Sequence, residues 1–256
     1  MKRNEHGVRE HQAAATTAGI LYITGTVAGV LSMVVGAPIR DASDPLAAAA
    51  GHSGALVTGA LLVLVMGLSL AFVPVVLFPV LRRVNEVAAI GYLIMRGAVE
   101  TVGYVIAAIG WLLLVPLGKA VSAGPGTASQ VGVRLGSLVA NFDAAGAVST
   151  LVFCVGAAVF YSLLYRSRIV PRWIASWGLV GIAFYVAADL LAMYGVIGVT
   201  SPAQVAMFMP LAVQEMVLAA WMIARGFRPG RVRQDVGAGY PVPRGHDLLS
   251  TPGTVS

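Results

Sequence analysis

Five ionisable residues, Arg96, Glu100, Asp143, Asp189 and Glu215, stand inside long apolar runs, where hydration is lost and charge has to be balanced locally. Arg96 precedes Glu100 by four residues in LIMRGAVETVGY. On a helix that spacing sets the two about 40° apart on one face, as an intrahelical ion pair requires. One arginine against four acids leaves a formal charge of −3 if all five ionise, so some of the acids must carry protons, accept hydrogen bonds or meet water. Three chemistries fit such a set. Carboxyl groups in series can pass ions or protons, an arginine beside acids can hold a phosphate, and buried pairs can do neither and fix helix register instead.

Polar neighbours at helical spacing extend the set. Tyr104 lies one turn beyond Glu100, Thr150 and Cys154 follow Asp143 along its face, and Tyr185 comes one turn before Asp189. Gln214 adjoins Glu215, and Tyr22 shares a face with Thr26. Counting about 1.5 Å per helical residue puts Glu100 and Glu215 near mid-span and Arg96 toward the inner leaflet. Asp143 and Asp189 fall nearer the outer surface. The expectation is two polar layers: Arg96, Glu100 and Glu215 below, Asp143 and Asp189 above.

Other site chemistries lack their parts. The four histidines, His6, His11, His52 and His246, fall in tails or at a helix edge, and there is no H-E-x-x-H motif or Cys/His cluster, so no metal site and no cofactor is expected. No phosphate loop and no G-x-S-x-G elbow occurs, and Ser137 and Ser149 lack a base in their own layer. Cys154 is the single cysteine, which excludes an intramolecular disulfide and reads as a small buried hydrophobe.

The elements that position these residues follow from composition. The chain has 256 residues, 58% hydrophobic and 11% charged, where a soluble domain carries about a quarter charged residues. This is the composition of an all-α, polytopic membrane protein. Apolar windows long enough to cross about 30 Å of hydrocarbon recur six times, at about 13–36, 54–81, 88–116, 135–164, 172–197 and 204–225. The first is longer than the apolar core of a signal peptide and has no A-x-A site, so it reads as a retained helix. Pro74, Pro79 and Pro210 fall inside spans, where bends are expected. Gly25-x-x-x-Gly29 in the first span has helix-packing spacing. The organisation read from this is a tail at 1–12, a six-helix domain at 13–225 and a basic, Pro- and Gly-rich tail at 226–256 that reads as disordered.

The net charge of +6 points to topology and lipid headgroups, not to nucleic acid, because the basic residues sit between the apolar runs. With the N-terminus cytoplasmic, that side holds 13 of the 17 Lys and Arg and the opposite side holds three, Arg40, Lys119 and Arg134. A multi-pass protein of the plasma membrane with both termini cytoplasmic is therefore expected. Trp173, Trp177, Trp221, Tyr161 and Tyr165 fall near the inner boundary, where interfacial rings collect. Arg225, Arg228, Arg231 and Arg233 are placed to meet anionic headgroups.

Several segments together resemble a known family. TTAGILYITGTVAG in the first span, LFPVLRRVNEVAAIGY leading to Arg96 and Glu100, LLYRSRIVPRWIASWGLVG between the fourth and fifth spans, and PLAVQEMVLAAWMIARGF in the sixth carry the likeness, over roughly residues 14–228. They resemble bacterial proteins of domain-of-unknown-function family 4386. The resemblance implies six membrane helices, no assigned activity, and a pattern of arginine and acid on the third span, acid early in the fourth and glutamate in the sixth. It also implies a third-span pair one residue closer together than Arg96 and Glu100, which favours a contact between helices from Arg96 to Glu215. Three functions remain open: small-molecule or ion- and proton-coupled transport through the buried arginine and acids, a non-catalytic interaction or regulatory subunit, and an intramembrane enzyme acting on lipid.

Overall fold

The computed structural model describes residues 2–123, 126, 130, 133, 142–198 and 201–227, with side chains from residue 11 onward except 142–147. The described residues are helical: α1 Lys2–Arg40, α2 Pro45–Gly51, α3 Ser53–Leu81, α4 Glu86–Ser122, α5 Phe142–Ser167, α6 Arg172–Met193 and α7 Pro202–Arg225. All but α2 are long and apolar enough to cross a membrane, the first from His11 to Arg40. Lipid offers the backbone no hydrogen-bond partners, and a helix satisfies its own. The chain is a multi-pass membrane protein, with six such helices among the described residues.

Each crossing helix packs against the next, and α7 returns against α1, so the six close into a ring in chain order. Two short links, 82–85 and 168–171, hold neighbouring helices in this order. Asn85 caps α4 by accepting from the Ala88 amide at 2.9 Å, and Pro171 stands at the N-cap of α6. Pro38, Pro74, Pro79, Pro116 and Pro210 all lie inside helices, as neighbouring helices in a bilayer allow. The linker after α1, unassigned in the sequence reading, contains α2, which begins where Asp44 accepts from the Leu46 and Ala47 amides and docks on the end of α4.

The two ends of the ring differ. At the end where α1 begins, one continuous core draws on every crossing helix, with Tyr22, Leu77, Tyr92, Phe160, Leu164, Ile174 and Leu218 fully buried. Toward the other end the cores found among the described residues draw on α1 to α4, around Ile39, Leu56, Ala60, Val63 and Ala108. Among the described residues the helices thus sort into two trios, α1–α3–α4 and α5–α6–α7, which share one continuous core at the end where α1 begins and also meet at Gly103 of α4 and Ser149 of α5.

Glycines set how closely these helices approach. A Cβ on Gly25 would lie 2.9 Å from Leu70 and one on Gly29 2.6 Å from the Met66 sulfur, so the Gly25 and Gly29 pair is a packing stripe against α3. Gly36 and Gly59 form the seat of the Trp111 indole, which a Cβ on either would strike. The indole is rigid and cannot step aside as a long aliphatic chain would. Gly59→Ala is expected to cost about 1–3 kcal/mol in thermal unfolding in lipid nanodiscs. Gly54→Ala, which meets open space, is expected to be neutral or stabilising by under about 1 kcal/mol.

Candidate functional site

The middle of the ring is built on a break in helix regularity. Residues Leu93–Val99 of α4 form a π-helical turn, closed where the Glu100 amide donates to the Met95 carbonyl, five residues back. Such a turn widens the helix by one residue and re-aims the side chains around it, a device that recurs at functional sites. Here it carries Arg96 and delivers Glu100 at its end. Opposite, Gly156 of α5 lets α4 come close, since a Cβ there would lie 3.2 Å from that of Met95.

Arg96 is 3% exposed. Its Nη1 donates to both oxygens of Glu100, at 3.2 Å each, and its Nη2 lies 3.7 Å from Glu215 on α7. Both contacts in the sequence reading therefore form, the intrahelical pair and the contact between helices. Glu100 is held again by Tyr104, whose hydroxyl donates to it at 2.6 Å. Gly67 of α3 makes room for that tyrosine, because a Cβ there would sit 2.7 Å from the Tyr104 Cβ. The guanidinium also faces the rings of Phe153, 4.6 Å to the centroid, and Tyr22, at 5.7 Å. Arg96 Nε has no hydrogen-bond partner among the described residues. Two carboxylates around one arginine leave a single formal negative charge over, which a proton or a cation must balance.

Gln214 and Glu215, neighbours in sequence, face different helices. Gln214 is fully buried and ties three helices together: its amide oxygen accepts from Tyr161 of α5 at 2.7 Å, and its nitrogen donates to the Ile174 carbonyl of α6 at 2.9 Å. Tyr161 is thus a core residue and not an interfacial ring, seated against Gly178, where a Cβ would lie 2.7 Å from the phenol. Proximity to a helix end misled the sequence reading, which lacked the glycine opposite.

Asp189 of α6 is 2% exposed and hydrogen-bonds with Thr150 of α5 and Gln204 of α7. Asp143, expected beside it, has its side chain outside the described residues. Tyr185, one turn from Asp189, stacks on Phe208 at 3.8 Å between centroids and meets the edge of Phe153 at 5.7 Å. Phe153 touches both groups: the Arg96 guanidinium lies over its ring, and Tyr185 packs against it in the upper one. Sequence reasoning missed Phe153, because an aromatic in an apolar run looks the same whether it faces lipid or charge. It also missed Tyr92, whose hydroxyl lies 3.5 Å from that of Tyr22 and whose ring stacks on Phe160. Its place one turn before Arg96 was the available signal.

The model of the domain-of-unknown-function family DUF4386 matches residues 17–226, which spans every crossing helix. No curated protein and no solved structure gives a match.

The charge count makes the three central residues unequal. Arg96→Met strands two facing carboxylates and is expected to lower stability by about 3 kcal/mol or more. Glu215→Gln leaves one arginine with one glutamate and is expected to change it by under about 1 kcal/mol, or to raise it. Thermal unfolding in nanodiscs measures both, and the Arg96→Met, Glu100→Gln double mutant should show a coupling of about 0.5–3 kcal/mol.

Proposed function

The chain belongs to the DUF4386 family, and from that premise we propose that it is a transporter that couples proton movement to that of a small solute, with Arg96, Glu100 and Glu215 as the coupling site. The observation that carries the reading is the sharing of one buried arginine between carboxylates on two helices, at 3.2 Å on its own helix and 3.7 Å across to α7. Ionisable residues at such depth are expensive and recur in ion and proton pathways. A proton arriving on Glu215 cancels its attraction for Arg96 and loosens α7 from α4. Gln214 is neutral in its bonding, so α7 stays fixed to α5 and α6 through the same event. The trio α5–α6–α7 then tilts as a body against α1–α3–α4, hinged at the end where one core joins all six, as alternating access requires.

In this reading the proton-coupling layer comprises Arg96, Glu100, Glu215, Gln214 and Tyr104, and Asp189, Tyr185 and Asp143 form a second polar layer that takes no part in the proton-coupling step. Phe153 acts as the wall between the two layers. The ring sits in the plasma membrane as a unit of 13–225, with tails 1–12 and 226–256 both cytoplasmic. The count of basic residues supports that orientation, and Arg225, Arg228, Arg231 and Arg233 then face anionic headgroups.

The test is a pH jump over proteoliposomes adsorbed on a solid-supported membrane. Wild type is expected to give a transient charge displacement that Glu215→Gln abolishes and Asp189→Asn retains. A wild-type signal no larger than that of empty liposomes would sink the reading. Phe153→Ala, which removes the ring between the layers, is expected to turn the transient into a sustained current.

A further inference from the structure

The stretch RSRIVPR, which ends α5, crosses the link and begins α6, carries three arginines, Arg166, Arg168 and Arg172. None of the three forms an ion pair among the described residues. The chain has no acidic residue between Asp143 and Asp189, so α5 beyond its first turn, the link and most of α6 offer these arginines no carboxylate. Glu86, exposed at the start of α4, is the acid at this end of the ring among residues whose side chains are described, and it forms no ion pair either.

The link is held rigidly from within the bundle. Ile169 and Val170 are fully buried in the core that joins all six crossing helices, and Ser167 and Pro171 are buried beside them. The Arg168 amide donates to the Leu164 carbonyl at 3.1 Å. Arg168 has a φ of 54°, the single non-glycine in the left-handed region among the described residues. That conformation is unfavourable for an L side chain, whereas glycine takes it freely. Membrane topology asks only for positive charge near the helix ends, at no particular position. It gives no reason for an arginine at the one strained residue.

The surrounding side chains show what the arginines face. The Arg172 guanidinium lies over the Tyr165 ring, 5.0 Å from its centroid, which brings it back beside the last turn of α5, where Arg166 stands. Tyr165 is 39% exposed, and Trp173, 53% exposed, stacks on Trp177 at 6.3 Å between centroids. Exposed tyrosine and tryptophan rings at the ends of crossing helices settle at headgroup level. The guanidinium groups therefore stand at the depth of lipid phosphates, and the planar fork of each matches two phosphate oxygens. A zwitterionic headgroup would also bring an ammonium group against three arginines with no acid to receive it. An anionic headgroup brings none.

We infer that Arg166, Arg168 and Arg172 form a binding site for the phosphate of an anionic phospholipid, held across the link between α5 and α6 with Tyr165 and Trp173 beside its glycerol region. The site rests on a fixed backbone and not on the number of basic residues, which separates it from the attraction of the C-terminal arginines for the leaflet. It does not depend on the transport reading, because none of its residues contacts Arg96, Glu100 or Glu215 in any bond described above.

The experiment titrates full-length protein in neutral detergent micelles with short-chain phosphatidylglycerol, with phosphatidylcholine of the same chains, or with glycerol phosphate, at constant ionic strength. Tm and tryptophan fluorescence are read together. Phosphatidylglycerol is expected to raise Tm and to shift the fluorescence over one concentration range, as binding to the folded state requires. Arg168→Gln is expected to move the midpoint up by about tenfold or more, the loss of a charge-assisted phosphate contact. Arg82→Gln, which changes an exposed arginine on the other link at the same end, is expected to stay within about twofold of wild type. Arg168→Gly separates binding from folding: without lipid its Tm is expected to equal or exceed that of wild type, while its response to phosphatidylglycerol is lost. Equal responses to the two lipids would overturn the inference. So would equal losses in Arg82→Gln and Arg168→Gln, which would reduce the effect to general surface charge. A full response to glycerol phosphate would overturn the lipid as occupant. Should the Arg168 variants fail to fold, the double variant Arg166→Gln, Arg172→Gln replaces two exposed side chains and is expected to lose the response to phosphatidylglycerol.

Discussion

Taking a guanidinium out of water costs several kcal/mol even after the protein relaxes. Arg96, 3% exposed, can therefore occupy the middle of the ring only while other elements bring partners to it. α4 itself brings Glu100, α7 brings Glu215, and α1 and α5 bring the faces of Tyr22 and Phe153. A sliding of any of these helices by one turn would withdraw a partner. The register of four of the six crossing helices is thus tied to one side chain. α6 enters the same arrangement through the bond from Gln214 to the Ile174 carbonyl, and α3 through the space that Gly67 leaves for Tyr104.

The π-helical turn is how α4 meets that demand. In lipid a helix has no hydrophobic drive to pair with another, so close backbone approach and hydrogen bonding hold the ring together. A regular α4 would aim its long side chains by the fixed helical rotation alone. The extra residue in Leu93–Val99 shifts the aim of Arg96 relative to the turns on either side, while Tyr92 still stacks on Phe160 before it and Tyr104 still reaches Glu100 after it. The irregular turn thus lies where α4 carries its buried arginine, a kind of place where such turns recur.

Much of this was legible in the sequence, and the parts that were not share a cause. Apolar windows located six crossing helices because lipid imposes a length and a composition. The four-residue step from Arg96 to Glu100, and the depth of Glu215, were legible because both depend on helix geometry alone. What depended on a neighbouring helix was hidden. The π turn has no local signature in LIMRGAV, Phe153 carries no mark of the charge it faces, and Tyr161 near a helix end imitates an interfacial ring. α2, which starts at the Asp44 cap before Pro45, went unassigned because a seven-residue helix is too short for a hydrophobic window to register.

The two glutamates around Arg96 differ in a way that their shared chemistry conceals. Glu100 rides on the same helix as the arginine, with two contacts at 3.2 Å and a tyrosine bond at 2.6 Å, so any rigid movement of α4 carries the whole group along. Glu215 belongs to another helix, stands at 3.7 Å and keeps 16% of its side chain exposed. A motion that parts α4 from α7 therefore breaks one ion contact and spares the other. The free-energy difference between the closed and parted arrangements then rests on the charge that Glu215 carries, since the Arg96, Glu100 and Tyr104 group is common to both. The transport reading proposed above needs one acid fixed to the cation and one able to leave it, and the partly buried Glu215, beside an arginine already paired with Glu100, has the placement that the second role asks for.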